Sequence, residues 1–264
     1  MSRVEFRLLG NVEIQGIQGE IVRLSRRMER LALAVLLLEP GQVFSTDRLI
    51  DLLWQQDPPV AARAALQTLM SRVRKAIRSA LGDEAPLLSR GQGYVLHVGP
   101  ERVDARRFAG MVEEAGRVHD ASQRAARLAE ALDLWRGPAL ADAADSVLRD
   151  QLCSSLEESR FRAISARIDA ELAAGRHADL ISELLRLVAE YPLRENLHGQ
   201  LMLALYRCGR RAEALDAYRR ARQLLVAELG LEPGPQLRTL HAAIIDETGR
   251  LKSGRPRGVH EWIQ

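Results

Sequence analysis

The run ARAALQTLMSRVRKAIRSA, residues Ala62 to Ala80, is followed closely by LLSRGQGYVLHV, residues Leu87 to Val98. In the first, Leu66, Met70, Val73 and Ile77 recur at spacings of three and four, the period of a helix that buries one stripe. Arg63, Arg72, Arg74, Lys75 and Arg78 are the only charged residues between Asp57 and Asp83, and Gln67, Thr68 and Ser71 lie among them. A solvated helix normally mixes both signs of charge. One sign with interleaved short polar groups suits a major groove, where arginine forks guanine edges while its neighbours hold phosphates. The plainer alternative is an amphipathic helix that happens to be basic.

The second run reads as a hairpin, with Leu87–Arg90 and Tyr94–Val98 as short strands around Gly91-Gln92-Gly93. Arg90 at the base of the bend, with Gln92 in it, is suited to an adjacent minor groove, whose negative potential deepens as it narrows. The two glycines are no dinucleotide fingerprint, because the third glycine and the following helix are missing.

Working back from the basic helix, Val4–Leu9, Val12–Ile14 and Ile21–Leu24 are expected as short strands. Arg26–Glu39 is expected as a helix, its Leu31–Leu38 run apolar throughout and therefore the buried spine of a domain. Those eight residues are too few to cross a bilayer. Pro40-Gly41 stops this helix, Ser45 or Thr46 caps the next, and Asp47–Trp54 offers Leu49, Ile50, Leu52, Leu53 and Trp54 to the core. Strands, two helices, basic helix and hairpin, in that order, describe an α+β winged helix.

The chain holds 264 residues, 38 Lys and Arg against 35 Asp and Glu; its first hundred residues hold 13 and 10, so the whole excess of +3 lies there. Gly99-Pro100 marks a break, giving a winged-helix DNA-binding domain over 1–99, a helical domain over 100–249 and a basic tail over 250–264. From Asp104 onward Ala, Leu, Arg and Glu dominate, the composition of an all-α domain. Ala170–Leu185 aligns with Ala204–Arg219 at an offset of 34 residues, setting Gly175 against Gly209, Arg176 against Arg210 and Ala178 against Ala212. That is the period of tetratricopeptide helix pairs, with glycine in the turn and a small residue expected at the helix crossing. A chance match of two alanine-rich helices is the bland alternative.

No catalytic, metal or cofactor site is expected. The histidines (His97, His119, His177, His198, His241 and His260) and Cys153 and Cys208 fall in no CxxC or HExxH spacing. Two cysteines without a signal peptide fit a reducing cytosol. In the tail, Lys252, Arg255 and Arg257 are expected to be disordered, with Trp262 and Ile263 as candidates for docking.

The chain resembles the Streptomyces antibiotic regulatory protein family over about residues 3–248, as a small two-domain member. The resemblance is carried by FRLLGNVEI from Phe6, LALAVLLLEPGQVFSTDRLIDLLW ending at Trp54, LQTLMSRVRKAI, SRGQGYVLHV, LDLWRGPALAD over Leu132–Asp142, and YPLRENLHGQLMLALYRCGRRAEALDAYRRARQLLVAELGLEPGPQL from Tyr191. It implies a winged helix joined to a bacterial transcriptional activation domain. The function implied is that of a cytoplasmic, nucleoid-associated activator of a secondary-metabolite cluster. Such a protein binds direct repeats in double-stranded DNA, self-associates there, and contacts RNA polymerase holoenzyme through its sigma factor and other subunits. By the same resemblance Arg72 reads bases, Gln67, Thr68 and Ser71 are its groove neighbours, Arg74 and Lys75 clamp phosphates, and Arg90 is the wing arginine. Arg63 is the remaining phosphate contact at the helix start, where Ala61, Ala62, Ala64 and Ala65 depart from the family's polar residues. The loop Gln55-Gln56-Asp57 matches a polymerase-touching segment, a plain connector being the local alternative. No GxxxxGK[ST] loop occurs in the sequence, and a small member with no receiver domain ahead of the winged helix is expected. A repressor, or a helical adaptor whose winged helix binds protein, are the competing readings.

Overall fold

The computed structural model describes residues 4–82 and 86–246. Contacts divide the chain into two compact units, Met1–Glu113 with Glu130–Arg160, and Glu114–Ala129 with Phe161–Gln264. The tail expected over 250–264 lies outside the described residues.

In the first unit, β1 (Glu5–Arg7), β2 (Glu13–Gln15) and β3 (Ile21–Val22) form an antiparallel sheet in sequence order. Phe6 faces Ile14 across it, and both are fully buried. The central helix α1 (Arg27–Leu38) buries Leu31 through Leu37 without interruption. Only Leu38 of the expected spine is half-buried. A helix covered on all sides lies inside a core rather than on it.

A strand unforeseen in the sequence, β4 (Val43–Ser45), comes next. Three residues carry too little alternation to be read alone, and this strand exists through its partner in the hairpin. Ser45 ends it and caps α2 (Thr46–Trp54), its Oγ accepting the Arg48 N–H at 3.2 Å. Of the five α2 residues expected in the core, Leu49 and Leu53 are buried, while Ile50, Leu52 and Trp54 are half-buried. After α3 (Ala62–Leu81), strands β5 (Leu87–Arg90) and β6 (Gly93–Leu96) complete a second sheet in the order β4-β6-β5. Gly93 is demanded by that sheet, since a Cβ there would stand 2.3 Å from the Phe44 carbonyl oxygen.

The compact units cut the chain differently from the division at residue 99 read from the sequence. Val103 bridges Phe6, and Asp104, the first residue of α4 (Asp104–Gly116), is fully buried beside β1. Its carboxylate accepts the N–H groups of Leu8 at 2.8 Å and Leu9 at 3.1 Å and the Arg136 guanidinium at 2.9 Å. Burial pushes this carboxyl above the ordinary aspartate range, against the pull of those donors. Beyond α5 (Ala121–Leu132), the segment of Arg136 to Asp142 runs along the same corner. Arg136 N–H donates to the Leu9 carbonyl at 2.8 Å, Leu140 N–H to that of Leu8 at 3.0 Å, and Ala141 N–H to that of Gly10 at 3.0 Å. Gly10 has φ +138°, and a Cβ on it would meet the Arg136 Cβ at 3.0 Å. The motifs FRLLGNVEI and LDLWRGPALAD are thus two sides of one hydrogen-bonded corner. The N-terminal part of α6 (Ser146–Ala173) belongs to this unit as well.

The second unit stacks the rest of α6 with α7 (His177–Glu190), α8 (Glu195–Arg207), α9 (Arg211–Leu229) and α10 (Pro235–Ile245). The 34-residue repeat appears as two matching turns. Gly175 and Gly209 have φ of +85° and +77°. Arg176 N–H donates to the Glu171 carbonyl at 3.0 Å, and Arg210 N–H to that of Leu205 at 2.9 Å, each bond closing the end of the preceding helix. The helix crossing is not made at Ala178 and Ala212, which are exposed. The buried contacts come from Leu180, Ile181 and Leu184 in one repeat and Ala214, Ala217 and Tyr218 in the other. Two residues further along, these positions turn inward toward the neighbouring helix. His198 is also inside, its Nε2 2.8 Å from the Pro192 carbonyl oxygen, and burial holds its pKa below the usual 6.5. Burial also lowers His177 and His241, the latter stacked on Tyr218 at 3.8 Å.

Asp104→Asn presents an NH2 where only acceptors fit, and is expected to cost about 1–3 kcal/mol in urea unfolding of the full chain. The lowered histidines give a second expectation. Because His198 is neutral when folded and titrates normally when unfolded, its contribution is present above about pH 6.5 and lost as the pH falls below it. Unfolding followed between about pH 7.5 and pH 5 should lose stability toward acid, and His198→Gln should flatten that slope.

Candidate nucleic-acid interface

Helix α3 keeps Leu66, Leu69, Met70, Val73, Ile77, Ala80 and Leu81 buried, and its remaining surface is the candidate contact face. At 3.6 residues per turn, Ala64, Thr68, Ser71 and Lys75 fall within about 60° of one another, with Arg72 roughly 70° to one side and Arg74 roughly 90° to the other. All four central residues are exposed, as are Arg63, Gln67, Arg72 and Arg78. The helix itself contributes no carboxylate to that face.

The two flanking arginines are held by different neighbours. Arg74 is half-buried, its Nε donating to the Leu87 carbonyl at 3.0 Å and its Nη2 approaching the Ser89 Oγ at 3.4 Å. It braces the helix against β5, and this is where the arginine expected as a phosphate clamp is placed. Arg72 leans the opposite way, with Nη1 3.6 Å from Glu29 Oε1 on the first turn of α1. Arg63 pairs with Asp47 at 3.0 Å, both side chains well exposed, a contact of little energetic weight in water. The Thr68 hydroxyl donates back to the Ala64 carbonyl at 3.0 Å. Arg78 continues the face by one turn beyond Lys75, and its spacing of three from Lys75 is the sequence signal that places it there.

The wing turn is anchored. Gly91 takes φ +58° with open space around it, allowing the two-residue bend between Arg90 and Gly93. The Gln92 carbonyl accepts both the Thr46 N–H at 2.9 Å and the Thr46 hydroxyl at 2.8 Å, fastening the bend to the start of α2. Arg90 and the Gln92 side chain are left exposed at its tip. Thr46 thus serves the wing rather than capping its own helix, a role local sequence does not reveal. Between α2 and α3, Gln55, Gln56, Asp57, Pro58, Pro59 and Val60 are all exposed, and Gln55 carries φ +52°.

Among the described residues no group of three or more His, Cys, Asp or Glu is placed to hold a metal ion, and no helix is long and apolar enough to cross a membrane. Cys153 is buried, and burial with the nearby Glu157 charge pushes its thiol up to about 11, far from a reactive thiolate.

Residues 19–96 match the C-terminal domain of transcriptional regulatory proteins, and residues 103–245 match the bacterial transcriptional activator domain. The chain is 39% identical to the regulatory protein DnrI of Streptomyces peucetius over 83% of its own length and 84% of that protein. It is 38% identical to the transcriptional regulator RedD of Streptomyces coelicolor, covering 94% of this chain and 72% of RedD. The solved structure of Mycobacterium tuberculosis EmbR with a low-affinity phosphopeptide is similar at a TM-score of 0.86 and 34% identity, over 96% of this chain and 69% of that one. An exposed, acid-free helix beside an anchored wing, followed by a helical activator domain, fits these matches. The chain belongs to the Streptomyces antibiotic regulatory protein family of DNA-binding transcriptional activators.

Proposed function

We propose that this protein is a pathway-specific activator of a secondary-metabolite gene cluster, acting in the cytoplasm on nucleoid DNA and without an enzymatic reaction of its own. It binds direct repeats near a promoter, with protomers side by side on one face of the duplex, and engages RNA polymerase holoenzyme. Residues 1–99 supply DNA recognition and 100–249 the activating surface, with the corner at Asp104 and Arg136 belonging to the same compact unit as the winged helix. The reading is carried by the exposed face of α3, where Lys75, Arg78 and the short polar groups Gln67, Thr68 and Ser71 stand on a helix that carries no acid.

In this scheme Arg72 reads a base edge and Gln67, Thr68 and Ser71 contact the groove around it. Lys75 and Arg63 hold phosphates, with Arg78 extending that row. Arg90 enters the minor groove, with Gln92 beside it. Arg74, spent on Leu87 and Ser89, shapes the interface by fixing the wing relative to the helix. The loop of Gln55, Gln56 and Asp57, exposed throughout, is the proposed polymerase-touching element. Similarity to DnrI and RedD, both Streptomyces regulators, supports the assignment to secondary metabolism.

Selection of binding sites from random duplexes, followed by footprinting, should yield short repeats about one helical turn apart. Absence of enrichment at moderate salt would favour the protein-binding adaptor instead. Arg72→Ala should cost roughly 1–3 kcal/mol and relax preference at one base position, whereas Lys75→Ala should weaken all sequences alike and lower the salt slope by about one. Asp57→Ala should leave operator affinity unchanged and reduce transcript yield in a reconstituted assay with polymerase holoenzyme; equal yield would return the loop to a connector.

A further inference from the structure

Glu29 is an uncommon residue to find where it lies. Its side chain is 8% exposed, yet it stands on the first turn of a helix that is otherwise apolar through its interior. One oxygen lies 3.4 Å from the Arg26 backbone N–H, so the carboxylate helps close the start of α1. The other lies 3.6 Å from Nη1 of Arg72, whose side chain is 43% exposed. The turn that bears Glu29 is itself clamped from the far side. Arg27 Nε donates to the Ala143 carbonyl at 3.1 Å, and Arg30 reaches the Asp142 carbonyl at 3.0 Å and pairs with the Asp142 carboxylate, also at 3.0 Å. Asp142 in turn accepts the Val12 N–H at 2.9 Å. The carboxylate facing Arg72 therefore sits on a segment secured at several points, and it has little freedom to follow a moving side chain.

We propose that Glu29 is a positioning residue for DNA recognition: its buried carboxylate holds one terminal nitrogen of Arg72, so that the guanidinium meets the groove already oriented. Ordering a long arginine side chain ahead of contact removes a cost that binding otherwise bears. With Nη1 turned toward Glu29, Nη2 and Nε form the opposite edge of the guanidinium, the edge suited to a bidentate contact to a base. The contact also sets a sign that a purely structural role lacks. Glu29 is a negative charge beside a DNA-facing arginine, so removing it strengthens attraction to any duplex while loosening a contact that discriminates among them.

This inference rests on Arg72 as the base-reading residue, and the test separates the two. Full-length wild type, E29Q, E29D, R72A and the double variant E29Q/R72A are titrated against the selected operator, an operator changed at the Arg72-dependent position, and a scrambled duplex. Each is measured at two salt concentrations, with thermal melts run in parallel. E29Q is expected to lower the operator-to-changed-operator preference roughly three- to tenfold while scrambled-duplex affinity holds or rises. E29D, which keeps the charge but withdraws the carboxylate, is expected to lower the same preference without strengthening scrambled binding, and it serves alone if E29Q does not fold. Adding E29Q to R72A is expected to cause no further loss of preference. Unchanged preference in E29Q or E29D, with R72A still losing it, overturns the role of Glu29 and leaves Arg72 as reader. An equal fall for all duplexes in E29Q does the same, marking Glu29 as structural. An R72A variant with full preference overturns both.

Discussion

The carboxylate of Asp104 is where the first unit closes. A carboxylate can only accept, and this one is wholly buried, so its donors must come to it or stay unsatisfied inside the protein. They come from two places far apart in sequence, the N–H groups of Leu8 and Leu9 and the guanidinium of Arg136. Once these are gathered, the carbonyls of Leu8, Leu9 and Gly10 face the N–H groups of Leu140, Arg136 and Ala141. The corner between β1 and β2 gains partners that no strand supplies. Leu140 accepts a left-handed φ of +54° there, held by its own bond to Leu8 and by Ala143 and Ala144 donating to its carbonyl.

From that corner the constraint passes outward along named contacts. Asp142, at the end of the same segment, bonds Val12 and Arg30, while Ala143 and Asp145 receive Arg27. Helix α1 is thereby held at its first turn as well as through its apolar length. Helix α3 packs on this helix, so its exposed face inherits an orientation set partly by residues beyond position 99. On the opposite flank Arg74 and the Thr46–Gln92 bonds fix the wing. The contact face is bounded on both sides by polar contacts that do not depend on DNA.

Much of this was legible in the residues because it is local. The three- and four-residue spacing of Leu66, Met70, Val73 and Ile77 states a helix and its buried side, and the absence of acids states what the other side prefers. Gly91 marked the hairpin bend, and Gly175 and Gly209 marked matching turns, because only glycine takes those angles at no cost. Other features were invisible for an equally physical reason. β4 has three residues and acquires its structure from β6. Arg72 and Arg74 are two positions apart in the same basic run, but they point about 160° apart around the helix and meet different neighbours. Ala178 and Ala212 align in the repeat, yet burial at the crossing falls to Leu180 and Ala214.

By itself the sequence determined the order of elements, the basic face of α3, the helical repeat and the family, all of which follow from periodicity, composition and motif. Only the tertiary structure decided which cations remain available to a partner, where the first compact unit ends and which carboxylates organise it. Those outcomes depend on contacts between residues as far apart as Leu8 and Leu140, and the side chains concerned carry no local signature of the partner that will bury them.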